Sequence, residues 1–383
     1  MIPYGKQSIS QQDIDAVIDV LKSDFLTQGP VLPKFERAVA KKCGSEFGVA
    51  TNSATSALHI ACLALGVGEH SLVWAPAISF VASSNCALYC GSKLDFVDVD
   101  PETINISPDT LNQKIEFNLE NKLPLPNVLI VVHMAGQSCD MAGIHTLSRT
   151  YGFSIIEDAS HGIGGKYMGK LVGNCEYSDI VIFSFHPVKI ITTAEGGMAL
   201  TNSQELAEKM SLFRSHGVTR EASKLNENEG PWYYEQIELG FNYRMTEMQA
   251  ALGLSQMESL DEFVSQRRQL AKKYDTKLRS TNITLPVTQA YSQPSWHLYI
   301  IQLDTDQLNR EHVFSGLREK GLGVNVHYRP IYLNPYYQAL GFKKGLCPNA
   351  EAYYSSCISI PLYHGMTEVE QNTVIEAVNG ACA

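Results

Sequence analysis

The sequence has no excess of positive charge. Its 30 Lys and Arg stand against 40 Asp and Glu, a net charge of −10. That balance argues against a general binder of nucleic acid or anionic membrane, while leaving room for a local basic pocket. It also lacks any run approaching the ~18 consecutive apolar residues of a membrane-spanning helix. The start, MIPYGKQSIS, is without the basic-then-apolar order of a secretory signal. CxxC pairs are absent, and the nine cysteines are odd in number and scattered. The expectation is a cytoplasmic protein with reduced thiols, mostly core filling, and no metal site. There is no internal repeat and no low-complexity tract.

What is present is enough apolar material for a large core. Hydrophobic residues make up 44% of the 383, a length that implies two domains or three. Apolar runs alternate with helical patterns. Ser10, with Asp13 three residues on, reads as a helix N-cap before Ile14, Val17, Ile18 and Leu21. A turn at Asp24–Pro30 leads to a second helix holding Phe35, Ala38 and Val39. Strands are expected over 47–51, 72–75, 95–99, 127–133 and 153–158. The spacing predicts helices over 57–65, after Phe80, over 107–115 and over 141–151. Such alternation implies βαβ units and a mainly parallel sheet, whose ligands bind outside the carboxyl ends of the strands. Asn52–Ser56, His133 and the acidic pair Glu157–Asp158 would sit there.

The later chain is read more coarsely. Residues 204–213 are helical, and the Gly/Asn-rich stretch 223–234 reads as a mobile loop near a site or an interface. One long helix is expected from Thr246 to beyond Leu270, then a Pro/Ser/Gln linker over 288–295. A smaller α/β pattern follows: strands at 297–303 and 324–328, and helices over 310–320 and near Glu351 and Glu368.

Two stretches carry chemistry. Asn52-Ser53-Ala54-Thr55-Ser56 is a small polar loop between a strand and a helix. Free N–H groups and hydroxyls there suit an anion, or merely cap the helix. It is not a Walker A loop, since the glycines and Gly-Lys are missing. The second stretch, Ile180–Thr201, is strand, loop and strand around a lone Lys189. A buried ammonium is costly unless it is paired or its pKa is lowered, and a lowered pKa makes an amine nucleophile. The same lysine could instead snorkel to water at a strand end.

These motifs, in order, resemble the DegT/DnrJ/EryC1/StrS sugar aminotransferases, which are pyridoxal-phosphate enzymes of fold type I. The matching pieces are LTQGP (26–30), NSATSALHIA (52–61), APAISFVASSN (75–85), EDASHGIG (157–164), SFHPVKIITTAEGG (184–197), FRSHG (213–217), FNYRMTEMQAALGLSQ (241–256) and VNVHYRPIY (324–332). Several variants are most similar to the C4-aminotransferases of pseudaminic-acid synthesis. The resemblance implies a mainly parallel seven-stranded sheet with helices on both faces. A large cofactor-binding domain (1–255) and a small C-terminal α/β domain (256–383) would follow, the N-terminal segment joining the small one.

The resemblance also assigns roles. Lys189 would form the imine with pyridoxal phosphate, cycling through pyridoxamine phosphate. Asp158 would hold the ring nitrogen protonated, and Phe80 would stack on the ring. His161 stands where many relatives carry Gln near the phenolic oxygen. Thr55, Ser56 and Ser184 would bind the phosphate, with Asn242 arriving from the second subunit of a homodimer with shared sites. Tyr4, the Asp24-Phe25-Leu26-Thr27 turn and Asn325-Val326-His327-Tyr328 would surround a nucleotide-sugar, together with Ser184, Asn242 and Arg244. Roles for His133 and His186 stay open. The implied reaction moves an amino group from L-glutamate to C4 of UDP-2-acetamido-2,6-dideoxy-β-L-arabino-hexos-4-ulose. Another nucleotide-keto-sugar aminotransferase, or a cofactor-binding scaffold without turnover, are the alternatives.

Overall fold

The computed structural model describes residues 1–227 and 229–383; Asn228, within the loop expected at 223–234, lies outside the described residues. The first helix, α1 (Gln11–Leu21), starts as the sequence predicts. The Ser10 hydroxyl accepts from the Asp13 N–H (3.2 Å), and the Asp13 carboxylate accepts from the Ser10 N–H (2.8 Å). The next helix, α2 (Val31–Cys43), follows Pro30, which offers no side-chain cap. The N–H groups of Val31 and Leu32 donate instead to the buried carboxylate of Glu247, at 2.6 and 3.1 Å.

Strands and helices then alternate: β1 (Phe47–Thr51), α3 (Ala54–Ala64), β2 (Leu72–Pro76), α4 (Ala82–Tyr89), β3 (Lys93–Val97), α5 (Pro108–Glu120), β4 (Val128–Val132), α6 (Met141–Tyr151) and β5 (Ser154–Asp158). A short hairpin of β6 (Lys166–Tyr167) and β7 (Lys170–Leu171) precedes β8 (Ile180–Ser184) and β9 (Gly197–Thr201). After α7 (Gln204–Arg214) come β10 (Val218–Thr219) and β11 (Glu235–Gln236), then α8 (Glu247–Glu258) and α9 (Leu260–Lys277). The C-terminal part holds β12 (Ile283–Thr284), β13 (Ser292–Gln293), β14 (Tyr299–Leu303), α10 (Arg310–Glu319), α11 (Pro335–Ala339), α12 (Pro348–Ser356), β15 (Cys357–Ile360) and α13 (Glu368–Ala381).

The main sheet has the order β1-β9-β8-β5-β4-β2-β3. The β8–β5, β5–β4, β4–β2 and β2–β3 pairs are parallel, while β9 is antiparallel to both β1 and β8. Six strands therefore share one direction. Side chains alternate between faces. Val73, Ala75, Ile130, Ile156 and Ile182 enter one buried cluster. On the other face, Trp74, Leu129, Val131 and Ile155 enter a second, and Val181, Phe183 and Leu200 a third. Burial on both faces is why these strands read as continuous hydrophobic runs. A fourth cluster, with Tyr274, Tyr299, Ile301, Leu317, Ile358 and Val378, belongs to the C-terminal sheet β12-β14-β15 and its helices.

The structure corrects four sequence expectations. The long helix from Thr246 is two, divided at Ser259, a poor helix former; α8 packs on α1 and α2, while α9 turns to the C-terminal core. Helix α3 begins three residues earlier than expected because Ser53 caps it. Residues 324–328 make one bridge, Asn325 to Ser359, rather than a strand; the His327 carbonyl that a ladder would use accepts from the Tyr353 hydroxyl (2.6 Å). The linker at 288–295 is tied down: β13 pairs with β6, and the Ser295 hydroxyl donates to the His161 carbonyl (2.7 Å).

Glu247 closes the start of α2 from far along the chain. Glu247→Ala should lower stability by about 1–3 kcal/mol, the cost of stranding buried donors, read as a lower urea midpoint with an unchanged slope. An unchanged midpoint would show that water replaces the carboxylate without loss.

Candidate active site

Shared strand direction brings β1, β2, β4, β5 and β8 to a common edge with their carboxyl ends. A cavity of about 840 Å³ opens there. Of its two acidic members, Glu195 is exposed, while Asp158, the last residue of β5, is 5% exposed. The Ser83 hydroxyl on α4 donates to Asp158 Oδ2 (2.6 Å), and the Ser160 N–H donates to Oδ1 (3.1 Å). Ser79 and Ser83 share a further hydroxyl contact of 2.7 Å. The neighbouring Glu157 points to the opposite face, as strand alternation requires. There it pairs with His133 Nε2 (2.6 Å) and accepts from the Ser178 hydroxyl (2.5 Å). His133 Nδ1 accepts from the Cys139 N–H (3.2 Å). His133 is therefore a buried strut outside the cavity, whereas His186 is exposed and lines it.

Lys189 lines the same cavity from the loop between β8 and β9. Burial penalises its ammonium and lowers the amine from the usual 10.5 to about 8, with the negative charge of Asp158 opposing the shift. Ser184 ends β8 beside it. Across the cavity lies the first turn of α3, with Thr55 and Ser56. Ser56 donates from its hydroxyl to Asn52 Oδ1 (2.6 Å), and the Ser53 hydroxyl accepts from the Ser56 N–H (3.1 Å). This turn presses against the start of β9. A Cβ on Gly197 would sit 2.5 Å from the Ser53 carbonyl and the Ala54 nitrogen, so only glycine permits the approach.

Aromatic and imidazole rings form the wall. Phe80 is 59% exposed, with its ring 6.4 Å from that of Tyr328. Tyr328 lies nearly parallel to His161, 6.3 Å away. Behind His161 stands His297, ring to ring at 4.3 Å, and the Nδ1 atoms of both are buried with no partner among the described residues. Burial first, then Lys189 and His327, push His161 well below its usual value. His327 is lowered to about 4 by burial and by Lys189. Its Nδ1 lies 2.7 Å from the Ser359 hydroxyl and its ring 5.3 Å from Tyr4. Asn325 and Val326 complete this side.

Twelve of the sequence-predicted residues thus share one cavity: Tyr4, Thr55, Ser56, Phe80, Asp158, His161, Ser184, Lys189, Asn325, Val326, His327 and Tyr328. The others lie outside it in a single chain. Asn242 is exposed and bridges to Ser215, and Arg244 follows it in the segment leading to α8. The Asp24–Thr27 turn is exposed as well; Leu26 accepts from the Glu247 N–H, Thr27 bridges to Thr246, and Phe25 lines a separate groove of about 360 Å³ beside α8. The sequence reading missed Ser83, Ser160, His297 and Ser359. Ser83 had a readable signal, since it falls one turn after Ser79 in a matched segment. Ser160 had one too, standing two residues after Asp158, where an Asx-type turn puts its N–H on the carboxylate; His297 and Ser359 act through contacts that local sequence does not encode.

The influence of the Asp158 charge on Lys189 has a direct consequence for pH. Amine-selective labelling of Lys189, followed by peptide mass spectrometry, should show a midpoint near pH 8. Asp158→Asn should move that midpoint lower still, because the charge that favours the ammonium is gone. A midpoint near 10.5 would mean the amine is solvated.

Comparison with known proteins agrees with this geometry. Residues 7–379 match the model of the DegT/DnrJ/EryC1/StrS aminotransferase family. The UDP-4-amino-4,6-dideoxy-N-acetyl-β-L-altrosamine transaminase of Campylobacter jejuni serotype O:23/36 is 37% identical over 368 residues, 96% of this chain and 93% of the relative. Among solved structures, Helicobacter pylori PseC, an aminotransferase involved in the biosynthesis of pseudaminic acid, superposes with a TM-score of 0.89 at 30% identity, covering 100% of this chain and 99% of that one. A Streptococcus pneumoniae protein assigned as a sugar aminotransferase, in its PMP form, superposes with a TM-score of 0.90 at 27% identity and the same coverage. A lowered amine, a fixed carboxylate, hydroxyls at a helix N-terminus, a ring at the mouth and an orphaned imidazole nitrogen fit pyridoxal phosphate as the ligand. The chain belongs to the DegT/DnrJ/EryC1/StrS family and is a pyridoxal-phosphate-dependent sugar aminotransferase.

Proposed function

We propose that this enzyme transfers the amino group of L-glutamate to C4 of UDP-2-acetamido-2,6-dideoxy-β-L-arabino-hexos-4-ulose, giving UDP-4-amino-4,6-dideoxy-N-acetyl-β-L-altrosamine. The observation that carries the chemistry is the lowered Lys189 amine facing a fixed Asp158. The choice of sugar rests on the 37% identity to the Campylobacter jejuni transaminase. The reading belongs to pseudaminic-acid biosynthesis in the cytoplasm, in keeping with nine free thiols; among the described residues no helix is long and apolar enough to cross a membrane.

Pyridoxal phosphate, when bound, supplies an electron sink for the carbanion formed at the reacting carbon. Lys189 Nζ, neutral once its proton is lost near pH 8, takes the proton from that carbon and returns it on the other side of the exchange. Asp158 holds a proton on the ring nitrogen, and Ser83 and the Ser160 N–H keep both carboxylate oxygens aimed. Thr55, Ser184 and, with its hydroxyl turned from Asn52, Ser56 would hold the phosphate at the start of α3, where the helix dipole favours an anion. Phe80 would cover the ring face, and neutral His161 would donate toward the phenolic oxygen. Tyr4, Asn325, Val326, His327 and Tyr328 contact the nucleotide-sugar.

Asn242, Arg244 and Asp24–Thr27 lie outside their own chain's cavity. They belong in this reading to the neighbouring site of a homodimer, with Asn242 reaching phosphate and the others the nucleotide-sugar. Two units share the work. Residues 1–255 carry the seven-stranded sheet and the cofactor. Residues 256–383 carry the small sheet, joined by the N-terminal segment, where Ile2 bridges Leu322 and Tyr4 O accepts from the Leu362 N–H (3.1 Å).

Incubating the enzyme with L-glutamate and a panel of UDP-, dTDP- and GDP-linked 4-keto and 3-keto sugars, with products read by mass spectrometry, tests the assignment. The UDP-linked L-arabino 4-ketone should be aminated fastest. Faster turnover of a C5 epimer, a 3-keto sugar or another nucleotide would sink the named substrate and leave the aminotransferase. Glutamate should bleach the bound cofactor's absorption near ~410–430 nm, and Lys189→Ala should lose turnover by at least ~10²-fold.

A further inference from the structure

The cavity wall at 325–328 is pinned by a chain of hydrogen bonds. Asn325 and Ser359 face each other across a main-chain bridge. The Asn325 N–H donates to the Ser359 carbonyl (3.1 Å), and the Ser359 N–H donates to the Asn325 carbonyl (2.8 Å). The His327 ring stands between their side chains. Its Nε2 is 3.3 Å from Asn325 Nδ2, and its Nδ1 is 2.7 Å from the Ser359 hydroxyl. Tyr4 at 5.3 Å and Tyr328 at 4.8 Å, ring to ring, flank it. Ser359 and His327 are buried, while Asn325 is half-buried and lines the cavity.

These contacts leave the imidazole one tautomer. Asn325 Oδ1 accepts from the Val326 N–H (2.8 Å). Turning the amide over would set its NH2 against that N–H, donor to donor, so Nδ2 is the atom that faces His327. An amide NH2 only donates, and Nε2 therefore accepts. The ring proton is on Nδ1, which donates to the Ser359 hydroxyl. Burial and the Lys189 charge lower His327 to about 4, so the ring is neutral in neutral solution and keeps this arrangement. Both of its nitrogens are engaged, and it meets a ligand only as a surface. One hydrogen of Asn325 Nδ2 goes to His327; the other has no partner among the described residues.

We infer that Asn325 is a specificity-determining residue whose free amide N–H reads the 2-acetamido carbonyl of the sugar, with His327 as the residue that positions it. The acetamido contact rests on the substrate proposed above. The sugar carries the reacting carbon, so it is the part of the substrate that enters the cavity holding Lys189. Apart from the reacting ketone, its acetamido group bears its one carbonyl oxygen. A fixed N–H in a half-buried wall favours a ligand that brings an acceptor and penalises one that leaves the donor unpaired. Without His327 Nε2 the amide would be free to turn, and its donor would lose its aim.

The test compares the wild-type holoenzyme with Asn325→Ala, His327→Phe and the double variant. Each is given L-glutamate and either the UDP-linked 2-acetamido 4-ketone or its counterpart with a hydroxyl at C2. The wild type should prefer the acetamido sugar. Asn325→Ala should cut that preference by ~10-fold or more, mainly through the KM of the acetamido sugar. His327→Phe should cut it by a similar factor and the double variant no further, because both remove one interaction. A second measurement needs no sugar: imidazole nitrogen NMR of the holoenzyme, with His327 assigned by its absence from His327→Phe. The ring should be protonated at Nδ1, and in Asn325→Asp, where a carboxylate faces Nε2, the proton should move to Nε2. An unchanged preference in Asn325→Ala, additive losses in the double variant, or a wild-type ring protonated at Nε2 would overturn the inference while leaving the substrate standing. Amination of a different nucleotide-sugar and neither of these two would overturn the substrate and the acetamido contact together.

Discussion

Desolvation of the Lys189 amine beside the Asp158 carboxylate is the constraint on which the site depends. Burial lowers the amine toward neutrality and the carboxylate pulls it back, so it titrates near 8. The carboxylate can exert that pull because the Ser83 hydroxyl and the Ser160 N–H fix its two oxygens. The same lysine acts on its surroundings. Its charge adds to burial in keeping protons off His161 and His327. On the proposed chemistry, a proton at the reacting carbon would find one basic amine nearby, with His161 and His327 as neutral hydrogen-bonding groups. Concentrating basicity in one amine is what a proton shuttle needs.

The sheet makes that arrangement compact. Six co-directional strands bring their ends to one edge, but the chain must also come back from the lysine loop. It does so along β9, the one reversed strand. The return begins at Gly197, where backbone meets the Ser53 carbonyl and the Ala54 nitrogen at a spacing no side chain allows. The loop that carries the amine and the helix start that carries Thr55 and Ser56 are thus pressed together by their main chains. Geometry set by backbone contact is less easily deformed than geometry set by long side chains.

Much of this was legible in the sequence, and the remainder was illegible for physical reasons. Strands buried on both faces announce themselves as apolar runs, so the alternation that places Asp158 and Ser184 at one edge could be read directly. Period-two alternation would even have separated Glu157, paired with His133, from Asp158. Family motifs added Phe80, Thr55 and the ring-rich segment at 325–328. That segment was misread as a strand because Val324, Val326 and Tyr328 alternate as a strand would; the Tyr353 hydroxyl, distant in sequence, takes the carbonyl instead. The break at Ser259 also eluded pattern reading, since both helices keep helical spacing across it. Asn242 and the Asp24–Thr27 turn were joined to the site by resemblance alone, and one chain does not bring them there.

The cavity also divides its labour between parts of the chain. Its floor, with Lys189, Asp158, Ser184, Thr55 and Ser56, hangs on the seven-stranded sheet. Its far wall is fastened elsewhere: His327 to Ser359 on β15, its carbonyl to Tyr353 on α12, and Tyr4 to Leu362. On the proposed roles of Tyr4 and residues 325–328, a substitution in that wall would change which sugar fits without touching the groups proposed to move protons. Floor positions have no such freedom, because each is held by a strand end, a helix start or a glycine contact shared with its neighbour. If the wall holds the sugar as proposed, divergence in substrate at constant chemistry is easiest there, where side-chain contacts rather than sheet geometry set the shape.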